Sequence, residues 1–162
     1  MATPTNATND TDKATEIFYR LSIDDQLAWL WYAYKQMGNA LTTAAPGAAS
    51  SEISGGLVKQ VEAMSQSDQL EAMRAIARRD QDNRISREYG SLSANTKLAF
   101  WYELAVGMDS GSIMPMPPQY DMKDTGRDLL ATVETMDFES QITILRNAVV
   151  AMGAEPLAGA AI

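Results

Sequence analysis

Residues 27–34 read LAWLWYAY, an unbroken run without a charge, inside a segment (22–42) that holds no proline. The segment reads as a helix. Ser22 can cap it, and Asp24 and Asp25 in the first turn suit the positive end of a helix dipole. Leu27, Trp31, Tyr34 and Gly38 then share one face at i, i+4, i+7 and i+11, while Trp29 and Tyr32 occupy another. A helix that is apolar on several faces must be covered on several faces. The rest of the chain has to wrap around this one.

The remainder of the chain is also helical in pattern. LTTAAPGAAS breaks the first helix at Pro46-Gly47. A helix of small residues is predicted at about 48–64, interrupted at Gly55-Gly56, then one at about 66–79 after Ser65, and a short one near 82–89. The strong segment 95–108, NTKLAFWYELAVGM, puts Leu98, Trp101, Ala105 and Met108 on one face. Gly111 to Tyr120, GSIMPMPPQY, is predicted to be a loop, because three prolines in four positions block a helix. Asp124 opens a helix at about 125–136, and Asp137 caps a last one at about 138–152 that ends at Gly153. No sustained period-two alternation and no Asn-Gly or Asp-Gly hairpin turn is present. The expected fold is all-α, with a disordered arm at 1–14, a folded domain at 15–153 and a short tail at 154–162. A weak internal echo links DQLAWLWYAYKQMG at 25–38 with SQITILRNAVVAMG at 140–153, consistent with duplicated helical units.

Composition narrows the chemistry. Among 162 residues there is no His and no Cys. The usual general base, thiol nucleophiles, thiolate zinc sites and iron–sulfur clusters are thereby removed, and a carboxylate-bridged di-iron bundle lacks its histidines. No catalytic or metal-ligating residues are expected, and the chain does not read as an enzyme. A net charge of -8 disfavours nucleic-acid binding. No apolar run is long enough for a transmembrane span, and residues 1–14 do not read as a secretory signal, so the expected compartment is the cytoplasm. The acidic pairs Asp24-Asp25 and Asp80/Asp82 read as caps or solvated surface. Arg74, Arg78, Arg79, Arg84 and Arg87 form the one local concentration of positive charge, either a solvated helix face or a docking patch.

Two features read first as core packing and, more weakly, point to a large apolar ligand. Seven aromatics lie in two short segments, Trp29, Trp31, Tyr32 and Tyr34, then Phe100, Trp101 and Tyr102, and there are 10 Met. Flexible thioethers and flat rings suit the walls of a large apolar site. The stiff loop Met114-Pro115-Met116-Pro117-Pro118 could close one end of it or simply pack on the core.

The segments QLAWLWYAYKQMG (26–38), APGAAS (45–50), FWY (100–102) and QITILRNAVVAMG (141–153) together resemble the N-terminal, carotenoid-binding domain family of the cyanobacterial orange carotenoid protein. The resemblance covers roughly 15–153 and makes the chain look like a free-standing paralogue, a helical carotenoid protein. It implies two interleaved four-helix bundles enclosing an apolar tunnel that holds a keto-carotenoid: canthaxanthin, echinenone or 3'-hydroxyechinenone. Trp101 and Tyr34 correspond to the family's aromatic pair on the pigment, with Trp31 against the polyene. The resemblance implies that Leu27, Leu30, Met73, Tyr102, Ala105, Met108, Ile142 and Val149 line the tunnel. Met116 and Pro117 would close one end, and Gly47 would sit beside it. Arg146 matches an arginine that contacts the second domain and the phycobilisome in the family, and Asn95 matches another contact residue. Ala105 stands where the family has Gly and Met116 where it has Ile, two places where colour or pigment preference can change.

The function implied is photoprotection: a water-soluble, monomeric carotenoid protein that quenches singlet oxygen. Two alternatives share the fold. One is quenching of phycobilisome excitation energy at thylakoid-bound phycobilisomes. The other is carrying carotenoid to a homologue of the missing C-terminal domain. A helical adaptor with no ligand stands outside this class.

Overall fold

The structure, a computed structural model, describes residues 4–44, 56–117 and 119–155. Among these residues the chain forms α1 (Pro4–Arg20), α2 (Ile23–Ala44), α3 (56–62), α4 (Gln66–Arg78), α5 (Arg84–Gly90), α6 (Ala94–Ser110), α7 (Asp124–Glu134) and α8 (Phe138–Val150), and no strand. None of the described helices is long and apolar enough to cross a membrane.

The start signals act as their chemistry dictates. Ser22 Oγ accepts from the Asp25 N–H at 3.2 Å. Ser65, Asn83, Ser93 and Asp137 each accept from the amide three residues on, opening α4, α5, α6 and α8. Each bond satisfies one of the orphan donors that every helix start leaves. α6 ends at Gly111, whose φ of 92° lies in the left-handed region.

The helices interleave as two groups of four. α1 packs on α7 and α8, and α2 on α7 and α8. In the second group α4 packs on α5, the α3 residue Gln60 bonds Arg84 and Glu88 of α5, and Tyr89 of α5 meets Phe100 of α6 edge-on at 5.3 Å. α6 also packs on α8, and α2 on both α4 and α6, so the groups share one core. Trp29, Tyr89, Phe18 and Phe100 are its largest fully buried side chains.

The boundaries differ from expectation at both ends. The sequence suggests a disordered arm over 1–14, yet α1 begins at Pro4. Proline is tolerated in the first turn, where its missing N–H has no partner to lose. Thr11, Ala14 and Phe18 are buried, at i, i+3 and i+7. Two of those three side chains are small, so the stripe carries little hydrophobic signal. Tyr19 fixes the helix to the end of α8 by donating to the carbonyls of Asn147 and Ala148, at 2.8 and 2.6 Å. At the other end, Ala154 is buried and belongs to the core. Its N–H reaches the Ser86 carbonyl at 3.1 Å, and the Gly153 N–H reaches that of Ile76 at 2.8 Å. Gly153 turns the chain with φ +82°, and a Cβ on Gly90 would lie 1.9 Å from the Ala154 oxygen. Of the helix expected at 48–64, residues 56–64 fall among the described residues and 56–62 of these are helical, with Gly56 of the Gly55-Gly56 pair at the start.

Candidate functional site

Two helical stripes and a loop enclose an apolar cavity of about 100 Å³. Leu27, Leu30, Trp31 and Tyr34 come from α2 at i, i+3, i+4 and i+7. Trp101, Leu104, Ala105 and Met108 repeat that spacing on α6, facing them. Leu70, Met73 and Arg74 of α4 form the third wall, and Met114 to Pro117 with Tyr120 close it from the loop. Identical spacing on two helices puts each set on a single face. The wall is therefore a direct product of the 3.6-residue period.

Hydrogen bonds turn the polar atoms of the two principal rings away from the cavity. The Tyr34 hydroxyl donates to the Leu98 carbonyl of α6 at 2.9 Å. Burial raises its pKa well above the ordinary tyrosine range, so it stays a neutral donor. The Trp101 indole N–H donates to the Tyr89 hydroxyl at 2.9 Å, and that hydroxyl donates to the Val149 carbonyl. Tyr89 and Phe100 meet the Trp101 ring edge-on, with centroids 6.3 and 5.7 Å away. Both wall rings are thus fixed in orientation and present carbon to the cavity. Trp31 is half-buried, with the Lys35 ammonium 5.2 Å from its ring centre, and Lys35 also pairs with Asp109 of α6 at 3.0 Å.

The loop over the cavity is clamped at both ends by buried polar groups. Gln69 accepts from the Met114 N–H at 2.7 Å and donates to the Ser112 carbonyl at 3.1 Å. Asp25 accepts from the Tyr120 hydroxyl and from the Lys123 N–H at 3.3 Å. At the rim, Arg74 forks onto Asp24, Nε to Oδ1 at 2.8 Å and Nη2 to Oδ2 at 3.0 Å. The bond to Asp24 holds the guanidinium pKa above its usual value.

Ten of the residues expected at the tunnel line this cavity: Leu27, Leu30, Trp31, Tyr34, Met73, Trp101, Ala105, Met108, Met116 and Pro117. Tyr102 lies beside it, its ring centre 6.4 Å from that of Tyr34. Ile142 and Val149 are buried in the core on α8, Arg146 is half-buried on the same helix, and none of the three is among the lining residues. Gly47 lies outside the described residues. A second hollow lies between α2, α7 and α8, lined by Ala33, Met37, Leu130, Val133 and Phe138 with a polar rim of Gln36, Glu134 and Gln141.

Several contributors escape sequence reading. Leu70, Leu104 and Tyr120 also line the cavity, beside Met114 and Pro115 of the loop expected at one end of it. The two clamps, Gln69 and Asp25, are each only 3% exposed. Asp25 is therefore no solvated surface residue, and Asp24 is the partner of Arg74. One signal existed: Gln69 stands on the apolar face of Ala72, Met73 and Ile76. A polar residue on such a face needs a buried partner. The arginine group is likewise dispersed into local pairs. Arg78 bonds Glu71 and Asp80, Arg84 bonds Glu88, Arg79 lies over the Tyr19 ring, and Arg87 reaches the Gln81 and Asp82 carbonyls.

Comparison with known proteins gives consistent matches. Residues 4–155 match the family described as orange carotenoid protein, N-terminal. The chain is 48% identical over 142 residues to an orange carotenoid-binding domain-containing protein of Nostoc sp. PCC 7120, covering 88% of this chain and 82% of that one. It is 43% identical over 136 residues to the orange carotenoid-binding protein of Synechocystis sp., covering 84% of this chain and 43% of the relative, less than half its length. A solved Red Carotenoid Protein of Anabaena (Nostoc) sp. that binds canthaxanthin superposes with TM-score 0.80 at 39% identity, over 90% of this chain and 99% of that one. The Orange Carotenoid Protein of the same organism, binding canthaxanthin, gives 0.83 at 38% identity, over 91% of this chain and 46% of that one.

Proposed function

Because this chain belongs to the family of orange carotenoid protein N-terminal domains, we propose that it is a photoprotective carotenoid-binding protein that quenches singlet oxygen. The observation that carries this reading is the cavity between α2, α4 and α6. Its walls are carbon surfaces of Trp101, Tyr34, Trp31, leucines and methionines, and the polar atoms of Trp101 and Tyr34 are satisfied elsewhere. Such walls are what an extended polyene needs: dispersion contacts with no unpaired hydrogen-bonding group against it.

The pigment supplies the photochemistry, taking up excitation energy from singlet oxygen and releasing it as heat. The chain performs no bond chemistry. Trp101 and Tyr34 hold flat faces at fixed angles, at low rotamer cost because their hydroxyl and N–H are tied. The loop 114–117 excludes water from one end. A C40 molecule exceeds a cavity of about 100 Å³, so it either extends past this space or shifts the walls on binding. Met73, Met108, Met114 and Met116 are the walls suited to shift, since unbranched thioethers change shape cheaply.

The test is the visible spectrum of the protein purified from a canthaxanthin-producing host, with Trp101→Ala beside it. A coloured protein with a shifted polyene band, weakened in the variant, supports the reading. Singlet-oxygen quenching must then exceed that of the pigment-free protein. A colourless folded protein, or equal quenching without pigment, overturns it.

A further inference from the structure

The cavity is apolar except at one end. There Asp24 at the start of α2, Arg74 on α4 and Tyr120 at the end of the loop line it, and the Arg74 and Asp24 side chains, 36% and 45% exposed, mark that end as its mouth. Their hydrogen bonds are unequally spent. Both oxygens of Asp24 are engaged by Arg74, and the Tyr120 proton goes to Asp25. Arg74 uses Nε and Nη2 on Asp24, and its Nη1 has no partner among the described residues. The free valence at the mouth is therefore a donor, on a guanidinium that Asp24 holds in place. Arginine cannot accept, so what it recognises must be an acceptor. Asp24 and Asp25 outnumber Arg74 in charge, which disfavours a carboxylate.

Resting on the carotenoid reading above, we propose that Arg74 is a specificity-determining residue that hydrogen-bonds the ring carbonyl of an oxo-carotenoid, selecting it over a hydrocarbon carotenoid of the same length. The preference comes from what each ligand leaves behind. A carbonyl at the mouth satisfies the guanidinium, whereas a hydrocarbon ring partly desolvates it without a replacement bond. A hydrogen bond to a charged donor corresponds to about tenfold or more in affinity. Tyr120 and Asp24 act as positioning residues, one closing the mouth and the other fixing the fork.

The experiment titrates pigment-free protein with canthaxanthin and, separately, with β-carotene, for wild type, Arg74→Met and Arg74→Lys. Wild type is expected to prefer canthaxanthin by about tenfold or more. Arg74→Met should bring the two affinities within about twofold, mainly by weakening canthaxanthin, and Arg74→Lys, which keeps a charged donor, should restore part of the preference. Raman spectra of wild type with canthaxanthin should show one carbonyl stretch shifted down from its free value, and this readout decides the matter if Arg74→Met does not fold. Retention of the full preference in a folded Arg74→Met, or unshifted carbonyl stretches in wild type, overturns the assignment. Equal binding of both pigments by wild type also sinks it, while leaving the carotenoid reading intact. Uptake of neither pigment sinks both.

Discussion

The indole N–H of Trp101 donates to the hydroxyl of Tyr89 across 2.9 Å, although Tyr89 itself does not line the cavity. Tyr89 passes the connection on to the Val149 carbonyl at the end of α8. A wall ring on α6 is thus held by α5 and α8 together. Its orientation depends on a residue that does not line the cavity.

Tyr89→Phe tests that chain. It keeps the ring and leaves the Trp101 N–H without its acceptor in a buried place, while the Val149 carbonyl keeps the Met152 N–H. The expected loss of stability is about 1–3 kcal/mol, measured by chemical denaturation. Pigment affinity should fall as well, although Tyr89 contributes no wall. Unchanged stability and unchanged pigment binding together would show that the bond positions nothing.

Gln69→Leu removes the clamp on the first half of the loop. The Met114 N–H loses its acceptor, so its hydrogen exchange should accelerate while amides in the middle of α6 stay protected. Pigment dissociation should speed up in parallel. Exchange at Met114 as slow as in wild type would mean that packing alone holds the loop.

Gly90→Ala tests the close approach of α5 to the C-terminal turn. The added carbon would meet the Ala154 oxygen at 1.9 Å, backbone that cannot step aside without breaking the Ala154–Ser86 bond. A loss of about 3 kcal/mol or more is expected. Gly56→Ala is the control: nothing lies within 4 Å of its would-be Cβ, and alanine there should be neutral or stabilising by about 0.5–1 kcal/mol.

Alkaline pH should destabilise the fold. Burial holds the hydroxyls of Tyr34 and Tyr89 well above the usual tyrosine range, pushes Tyr19 up to about 12 and raises Tyr120 too. Each keeps its proton in the fold where the unfolded chain has lost it. The stability it contributes is complete below about pH 10 and drains away above it. Lys97 opposes this. It is buried, donates to the Val150 carbonyl and lies over the Tyr89 ring, and burial lowers its pKa from 10.5. The fold therefore sheds that proton before the unfolded chain does, and stability rises between the lowered value and 10.5. Four tyrosines outweigh one lysine, so Tm should fall steeply above about pH 10. Lys97→Met should remove the opposing rise alone. A flat Tm across that range would refute the balance.

Sequence reading reached the parts of the fold whose cause is local. Caps at Ser65 and Asp137 depend on neighbours within a few residues and stand where expected, and the described residues of the proline loop are non-helical; the last helix ends at Val150, before the expected 152, with the left-handed Gly153 beyond its cap at Ala151. The stripes on α2 and α6 were legible in part: the helical period picks out Leu27, Trp31 and Tyr34, and Trp101, Ala105 and Met108, but not Leu104, and it includes Leu98, which does not line the cavity. What could not be read depends on distant partners. The burial of Thr11 and Ala14 exists because α7 and α8 lie against α1. Gln69 becomes a loop clamp only once Ser112 and Met114 arrive beside it, and Asp25 only when Tyr120 does. A glutamine or aspartate near a helix start has several uses, and its immediate sequence does not choose among them.

The bonds that frame the cavity join residues far apart in the chain: Tyr34 with Leu98 across 64 positions, and Asp25 with Tyr120 across 95. α4, α6 and the loop bring part of the wall, and the site is complete only when α2 of the other helix group meets them. A chain that has folded only one of its helix groups has an incomplete wall for a polyene, so full pigment affinity needs the assembled fold. A bound ligand in turn favours the folded state by mass action. Colour in this protein is therefore a gauge of its integrity: a destabilised variant fades in proportion to the fraction that has lost its native form, and the shade of a colony ranks mutants without purification.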